Sequence, residues 1–259
     1  MTPTWAKRFT YQVVAFLVSV SMLVVVVSYA FNKTFDEHEL TFVDGFTITA
    51  HTGAYNTPDN SMESLEAAIA HGDQSFEMDV RQRPNGTIVM SSDIINTNSD
   101  GTEITAAFQL AKESDLHLNL NIKETRVLKS LHDLIVDYSL TDRVTLTGIE
   151  VFQANKVKEN CPGIEYYVNY MPSRINIFTE DYQQKIIEML EKTGAIGINC
   201  NYKYASRTLS LLLHKNGYKL SIWTVDRKYQ IKRALINTAD NITTHNPPKV
   251  QHIINKWGK

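Results

Sequence analysis

Residues 46–80 read FTITAHTGAYNTPDNSMESLEAAIAHGDQSFEMDV. Phe46–His51 is a short run rich in β-formers, and Ser75–Val80 is another. Between them, Asn60–Gly72 has a helical period. Asn60 stands as N-cap with Glu63 three residues on, Met62, Leu65, Ala68 and Ile69 share one face, and Gly72 is the stop. Strand, helix and strand in that order form a crossover unit, and a crossover of this length joins parallel strands.

The same alternation continues to the C-terminus. Further strands are expected at Leu116–Lys123, Arg143–Gly148, Glu165–Asn169, Ala195–Cys200, Lys219–Val225 and Asp240–Thr244. Helices are expected at Thr105–Ser114, Val127–Tyr138, Phe152–Glu159, Asp181–Lys192, Ser206–Lys215 and Lys228–Asn237. Thr87–Met90, after the turn Pro84-Asn85-Gly86, reads as a hairpin outside the repeat. Eight strands favour closure into a (β/α)8 TIM barrel, with an open doubly wound sheet as the alternative.

Ahead of this domain, Val13–Phe31 carries no charge and approaches the roughly 20 apolar residues that span a bilayer. Lys7 and Arg8 precede it, and Asp36, Glu37 and Glu39 follow, which puts the N-terminus in the cytoplasm and the remainder outside. A cleaved signal peptide is the competing reading, because Ser28-Tyr29-Ala30 offers small residues to a signal peptidase. The expected division is a cytoplasmic segment 1–12, a transmembrane segment 13–31, a linker 32–45 and a barrel 46–259. The localisation expected from it is a single-pass protein of the cell membrane. Hydrophobic residues at 43% and charged residues at 21% fit a folded domain. Lysine and arginine total 26 against 28 acidic residues, which argues against a nucleic-acid partner. Cys161 and Cys200 define no disulfide framework and read as two thiols without catalytic duty.

In such barrels, reactive groups gather at the C-terminal ends of the strands. His51, Glu77, Asp79, Lys123, Asn169, Asn199, Trp223, Asp226 and His245 all fall near those ends. Glu77 and Asp79, two apart on a strand, face the same way, so they repel one another unless a cation lies between them. A structural network neutralised by Arg81 is the competing account of that pair.

Residues 48–93 resemble the opening of the glycerophosphodiester phosphodiesterases, where H-R-G is followed by P-E-N-T, a helix, E-x-D-V and a hairpin ending in H-D. His51 and Gly53 match the first motif, Pro58 and Asn60 the second, Glu77, Asp79 and Val80 the third, and Asp93 the last. The resemblance extends to Leu120-Asn121-Ile122-Lys123, Trp223-Thr224-Val225 and Asp240-Asn241-Ile242-Thr243-Thr244. It implies hydrolysis of a phosphoric diester, with lipid or glycerophosphodiester metabolism as its setting. It also implies a divalent cation, Ca²⁺ or Mg²⁺, on Glu77, Asp79, Asn121 and Asp59, with His51 as one acid/base. Lys123 would neutralise the phosphate. Trp223, at its strand end, reads either as a wall of the substrate pocket or as a core residue.

The departures narrow this. Thr52 stands for a phosphate-binding Arg, Ser92 for the second His, Asn121 for a metal-binding Glu, Asp59 for the Glu of P-E-N-T, and Asp226 for an Asn. His245, beyond the last strand and next to the first in a closed barrel, is the candidate for a relocated acid/base. Its other reading is a loop histidine before Pro247-Pro248. His71, His117, His132 and His214 read as structural or surface residues. A membrane-anchored diesterase of reduced activity and a pseudoenzyme that binds a phosphodiester or a protein partner are the two expectations. A relative of the phosphoinositide- or sphingomyelin-cleaving barrels is a weaker third.

Overall fold

The structure, a computed structural model, describes residues 4–257. Residues 1–3 of the expected cytoplasmic segment and 258–259 of the expected barrel lie outside the described residues. The chain divides into two compact units, the first made of residues up to 40 with the last few of the chain, and the second of Thr41–Asn255.

The first unit is helix α1, Thr4–Asp36. Within it Lys7–Ala30 is long and apolar enough to cross a membrane. Trp5 and Phe9, one turn apart, stack with ring centroids at 5.8 Å.

The second unit is a closed barrel. Strands β1 (Thr47–Ala50), β2 (Ser75–Gln82), β5 (His117–Ile122), β6 (Val144–Glu150), β7 (Glu165–Asn169), β8 (Gly197–Asn201), β9 (Lys219–Trp223) and β10 (Asn241–Thr244) pair parallel in sequence order. Pairing of β1 with both β10 and β2 closes the ring. Strands β3 (Ile88–Met90) and β4 (Thr102–Glu103) extend β2 as an antiparallel flap. The flap contains the hairpin expected near Thr87–Met90, whereas β4 is too short to leave a pattern in the sequence. The connecting helices are α2 (Met62–His71), α3 (Ile104–Glu113), α4 (Leu128–Asp137), α5 (Ala154–Asn160), α6 (Glu180–Thr193), α7 (Arg207–Lys215) and α8 (Lys228–Ile236). A last helix, α9 (Pro247–Asn255), opens on Pro247-Pro248, and proline suits the first turn because its missing N–H has no intrahelical partner there.

Parallel strands buried on both faces are ordinarily near-continuous apolar runs. These alternate. Phe76, Met78, Leu118, Leu120, Leu146, Ile198, Leu220, Ile222 and Ile242 point outward. They pack beneath the apolar stripes of the helices, such as Leu65, Phe108, Leu131, Leu190, Leu213 and Ile231. The inward positions are polar, among them Thr49, Asn119, Thr147, Asn199, Ser221 and Asn241. The hydrophobic core is therefore a ring between strands and helices, and a polar lumen runs inside it. Cavities of about 290 Å³ at the C-terminal mouth and 250 Å³ at the opposite end share Asn119 as a lining residue.

The start of α2 differs from the sequence expectation. Ser61, not Asn60, is the N-cap, accepting from the Ser64 N–H. Asn60 sits at φ 51° with its side chain turned into the barrel. A tertiary partner has drawn the amide away from the helix end.

Candidate active site

Register explains which groups meet. Asp79 on β2 stands directly beside Asn121 on β5, and Ala50 on β1 directly beside Thr244 on β10. The next residues after the second pair are His51 and His245, so strand pairing alone makes the two histidines neighbours. Their rings lie 4.3 Å apart between centroids. His51, Glu77, Asp79, Asn121, Lys123 and Trp223 line the mouth cavity together. Asp59 is exposed, and its carboxylate lies over Gly53, where a Cβ would collide with it.

Glu77 and Asp79 are both buried. Burial pushes the Glu77 carboxyl up, opposed by His51 and reinforced by Asp79, while Lys123 and Asn121 pull it down. Its nearest partners are His51 Nε2 at 3.6 Å and the Thr52 N–H at 3.5 Å. Asp79 is held far more closely. Lys123 Nζ and Asn121 Nδ2 both lie 2.8 Å from its Oδ1, and Asn60 Nδ2 donates to Oδ2 at 3.1 Å. Asn60 Oδ1 also accepts from the Asp79 N–H at 2.9 Å. Thr52, where a guanidinium was expected from the resemblance, uses its hydroxyl to receive the Asn60 N–H. Arg81 takes no part in neutralising the pair, because its guanidinium donates to the Ser92 carbonyl.

The two histidines differ in setting. His51 Nδ1 lies 2.8 Å from the Thr52 carbonyl, an acceptor only, so this nitrogen carries the proton and Nε2 faces Glu77 with its lone pair. His245 Nδ1 lies 2.9 Å from Asp226 Oδ2, and the other oxygen of Asp226 accepts from the His245 N–H at 2.9 Å and the Thr244 hydroxyl at 3.0 Å. The bond to Asp226 raises the His245 pKa; burial opposes it, and the charges of Asp226, Asp59 and Glu77 add to it. For Asp226 burial acts upward, but the His245 side chain and backbone and the Thr244 hydroxyl outweigh it and hold the carboxyl at about 2. Of the histidines read as structural, His214 pairs with Asp240 at 2.7 Å and His71 stacks on Tyr55 at 4.1 Å.

The His245–Asp226 pair has a definite pH signature. The folded His245 pKa lies above 6.5, so its stabilising contribution is complete below pH 6.5 and disappears as pH rises through the folded value. Asp226, lowered from 3.8 to about 2, contributes fully above pH 3.8 and loses this as pH falls through 2. Asp226→Asn is expected to lower the His245 pKa, read from its Cε1–H shift by NMR. The stability gap between wild type and variant should be widest between pH 4 and 6.5; a gap that grows above pH 7 would contradict the assignment.

Sequence reasoning passed over two contributors, Asn60 as a brace for Asp79 and Asp226 as the partner of His245. The left-handed backbone at Asn60 and the 19-residue separation of Asp226 from His245 are both set by tertiary structure. Trp223 brings an indole N–H that is buried and has no hydrogen-bond partner among the described residues.

A divalent cation, implied by the resemblance, does not fit these donors. Such ions take six or more oxygens, or keep several waters around one or two carboxylates. Here one oxygen of Asp79 is already shared by an ammonium and an amide N–H. The Asn121 carbonyl oxygen faces Gly148, where a Cβ would collide with it, and not the carboxylates. Among the described residues no group of three or more His, Cys, Asp or Glu is placed to hold a metal ion.

No family model matches the chain. It is 23% identical over 248 residues to the glycerophosphodiester phosphodiesterase of Caldanaerobacter subterraneus subsp. tengcongensis, covering 82% of this chain and 98% of that protein. Among solved structures it superposes on a glycerophosphodiester phosphodiesterase from Parabacteroides distasonis with a TM-score of 0.66 and 19% identity, covering 83% of this chain and 99% of that one. It also superposes on an Oleispira antarctica phosphodiesterase in complex with the product sn-glycerol-3-phosphate, with a TM-score of 0.64 and 15% identity, covering 87% and 99% of the two chains. In sequence and in fold the chain is similar to the glycerophosphodiester phosphodiesterases.

Proposed function

We propose that the barrel hydrolyses phosphoric diesters of the glycerophosphodiester class, using His51 and His245 as its acid/base pair. The observation that carries this is two imidazoles 4.3 Å apart, His51 in the wall of the polar mouth cavity and His245 beside it, each with Nδ1 held and Nε2 left for chemistry. His51 Nε2 takes the proton of an attacking water as its oxygen bonds to phosphorus. The bond from phosphorus to the departing alcohol breaks, and His245, kept protonated by Asp226, gives its Nε2 proton to that oxygen. Lys123 has N–H groups to spare beyond the one on Asp79, and they neutralise the phosphoryl oxygens. The Trp223 N–H supplies a further donor from the cavity wall. His245 thus takes the place of the histidine that Ser92 lacks, and the Oleispira protein's product, sn-glycerol-3-phosphate, is the product expected here.

A second reading, a barrel that binds a phosphodiester without cleaving it, is favoured by Thr52 and Ser92, which bring neither a guanidinium nor an imidazole. ³¹P NMR of a glycerophosphodiester mixed with the detergent-solubilised full chain separates the two. Growth of a monoester resonance supports hydrolysis; a diester resonance that shifts on binding and never converts overturns it.

Helix α1 is the tether in this reading, with Lys7 and Arg8 on the cytoplasmic side and the barrel outside. Protease added to intact cells should then remove the barrel, and full protection would reverse the orientation.

A further inference from the structure

The second strand of the ring and the residue just beyond the third bring an ammonium onto Asp79, one of the two acids to which the resemblance assigns a metal ion. We propose that Lys123 is the resident cation of this site, and that the chain binds and processes its phosphodiester without a divalent metal. Three contacts support this. The ammonium lies 2.8 Å from Asp79 Oδ1, so a divalent ion on that oxygen would be forced against a like charge. Asn121 gives Asp79 its amide N–H at 2.8 Å and turns its carbonyl oxygen towards Gly148, so it acts as a donor to the carboxylate and not as a ligand beside it. Asn60 occupies the other Asp79 oxygen at 3.1 Å. Asp79 thus has its countercharge built into the chain in Lys123, while Glu77 has His51 Nε2 3.6 Å away. The remaining ammonium protons face the cavity, where a singly charged diester needs one positive group and not two.

This deepens the hydrolytic reading and relies on it for the identity of the ligand, but the cation itself can be tested without turnover. Electron paramagnetic resonance of Mn²⁺ mixed with the detergent-solubilised full chain reads free ion directly. Wild type is expected to leave the free-Mn²⁺ signal undiminished. The double variant Asn121→Glu/Lys123→Met supplies a third carboxylate and removes the ammonium, and is expected to bind Mn²⁺ on the order of 100-fold more tightly than wild type. In parallel, calorimetry with sn-glycerol-3-phosphate should give the same affinity with and without chelator in wild type, and a loss of at least about 10-fold in Lys123→Met.

One equivalent of Mn²⁺ taken up by wild type and lost in Asp79→Asn would overturn the proposal, as would a chelator that abolishes sn-glycerol-3-phosphate binding. A folded double variant, checked by circular dichroism, that gains no Mn²⁺ would also count against it. If that variant does not fold, the wild-type and Asp79→Asn titrations decide alone. A chain that hydrolyses nothing and binds no Mn²⁺ would refute the enzymatic reading and leave the internal cation standing.

Discussion

His51→Ala is expected to reduce kcat for glycerophosphodiester hydrolysis by about 10²- to 10⁴-fold, the usual contribution of one positioned acid or base. His51 is the first residue beyond β1, its Nδ1 is fixed on the Thr52 carbonyl, and its Nε2 is directed towards the buried acids. Alanine removes the proton acceptor and leaves the backbone bond from the His51 N–H to the Thr244 carbonyl intact, so the barrel should unfold at nearly the same urea concentration. His245→Ala should fall within the same range. The double variant should lose far less than the product of the two single losses, because residues that act as a unit are not additive. Steady-state rates of the three variants test this; His51→Ala retaining more than half of wild-type kcat would remove His51 from the chemistry.

Lys123→Met is expected to cost about 2 kcal/mol of folding stability. Exposed ion pairs contribute less than about 1 kcal/mol, whereas breaking a buried pair costs roughly 3–5 kcal/mol by leaving a charge without a partner. This pair lies between those limits, since the Asp79 side chain is 7% exposed and that of Lys123 29%. The amides of Asn121 and Asn60 would still donate to Asp79, which keeps the loss below the fully buried figure. Urea unfolding at neutral pH measures the loss, and equal midpoints would show that the pair is only nominal.

The ring of strands was legible because its alternation is unusual for parallel sheet. Runs such as His117-Leu118-Asn119-Leu120-Asn121-Ile122 declare both their period and the face that turns inward. Grouping at strand ends brought together His51, Glu77, Asp79, Lys123, Asn169, Asn199 and Trp223, which line one cavity, along with Asp226 and His245, which do not line it. Contacts that depend on register were not legible. The sequence offered Arg81 as the neutraliser of Glu77 and Asp79 because it follows on the same strand, whereas strand pairing delivers Lys123 from the neighbouring one. Asn60 matched a helix-capping pattern, and nothing local signals that Ser61 caps the helix and frees Asn60 for Asp79. Metal ligation by Asn121 was inferred from its place in a motif, which carries no signal for where the side chain's two ends lie, one on Asp79 and one towards Gly148.

The location of the apolar core bears on how such a protein changes over time. Because the hydrophobic residues lie between strands and helices, few lumen side chains carry the weight of the fold. Away from the Lys123–Asp79 pair, substitutions among the lumen's hydroxyls and amides can alter chemistry with little loss of folding free energy. Residues of the outer ring, such as Phe76, Met78 and Leu120, have no comparable freedom. A barrel of this kind can exchange a guanidinium for Thr52 or a carboxylate for Asn121 and still fold, so its catalytic equipment can drift, be lost or be rebuilt from a neighbour such as His245 on a scaffold that scarcely registers the change.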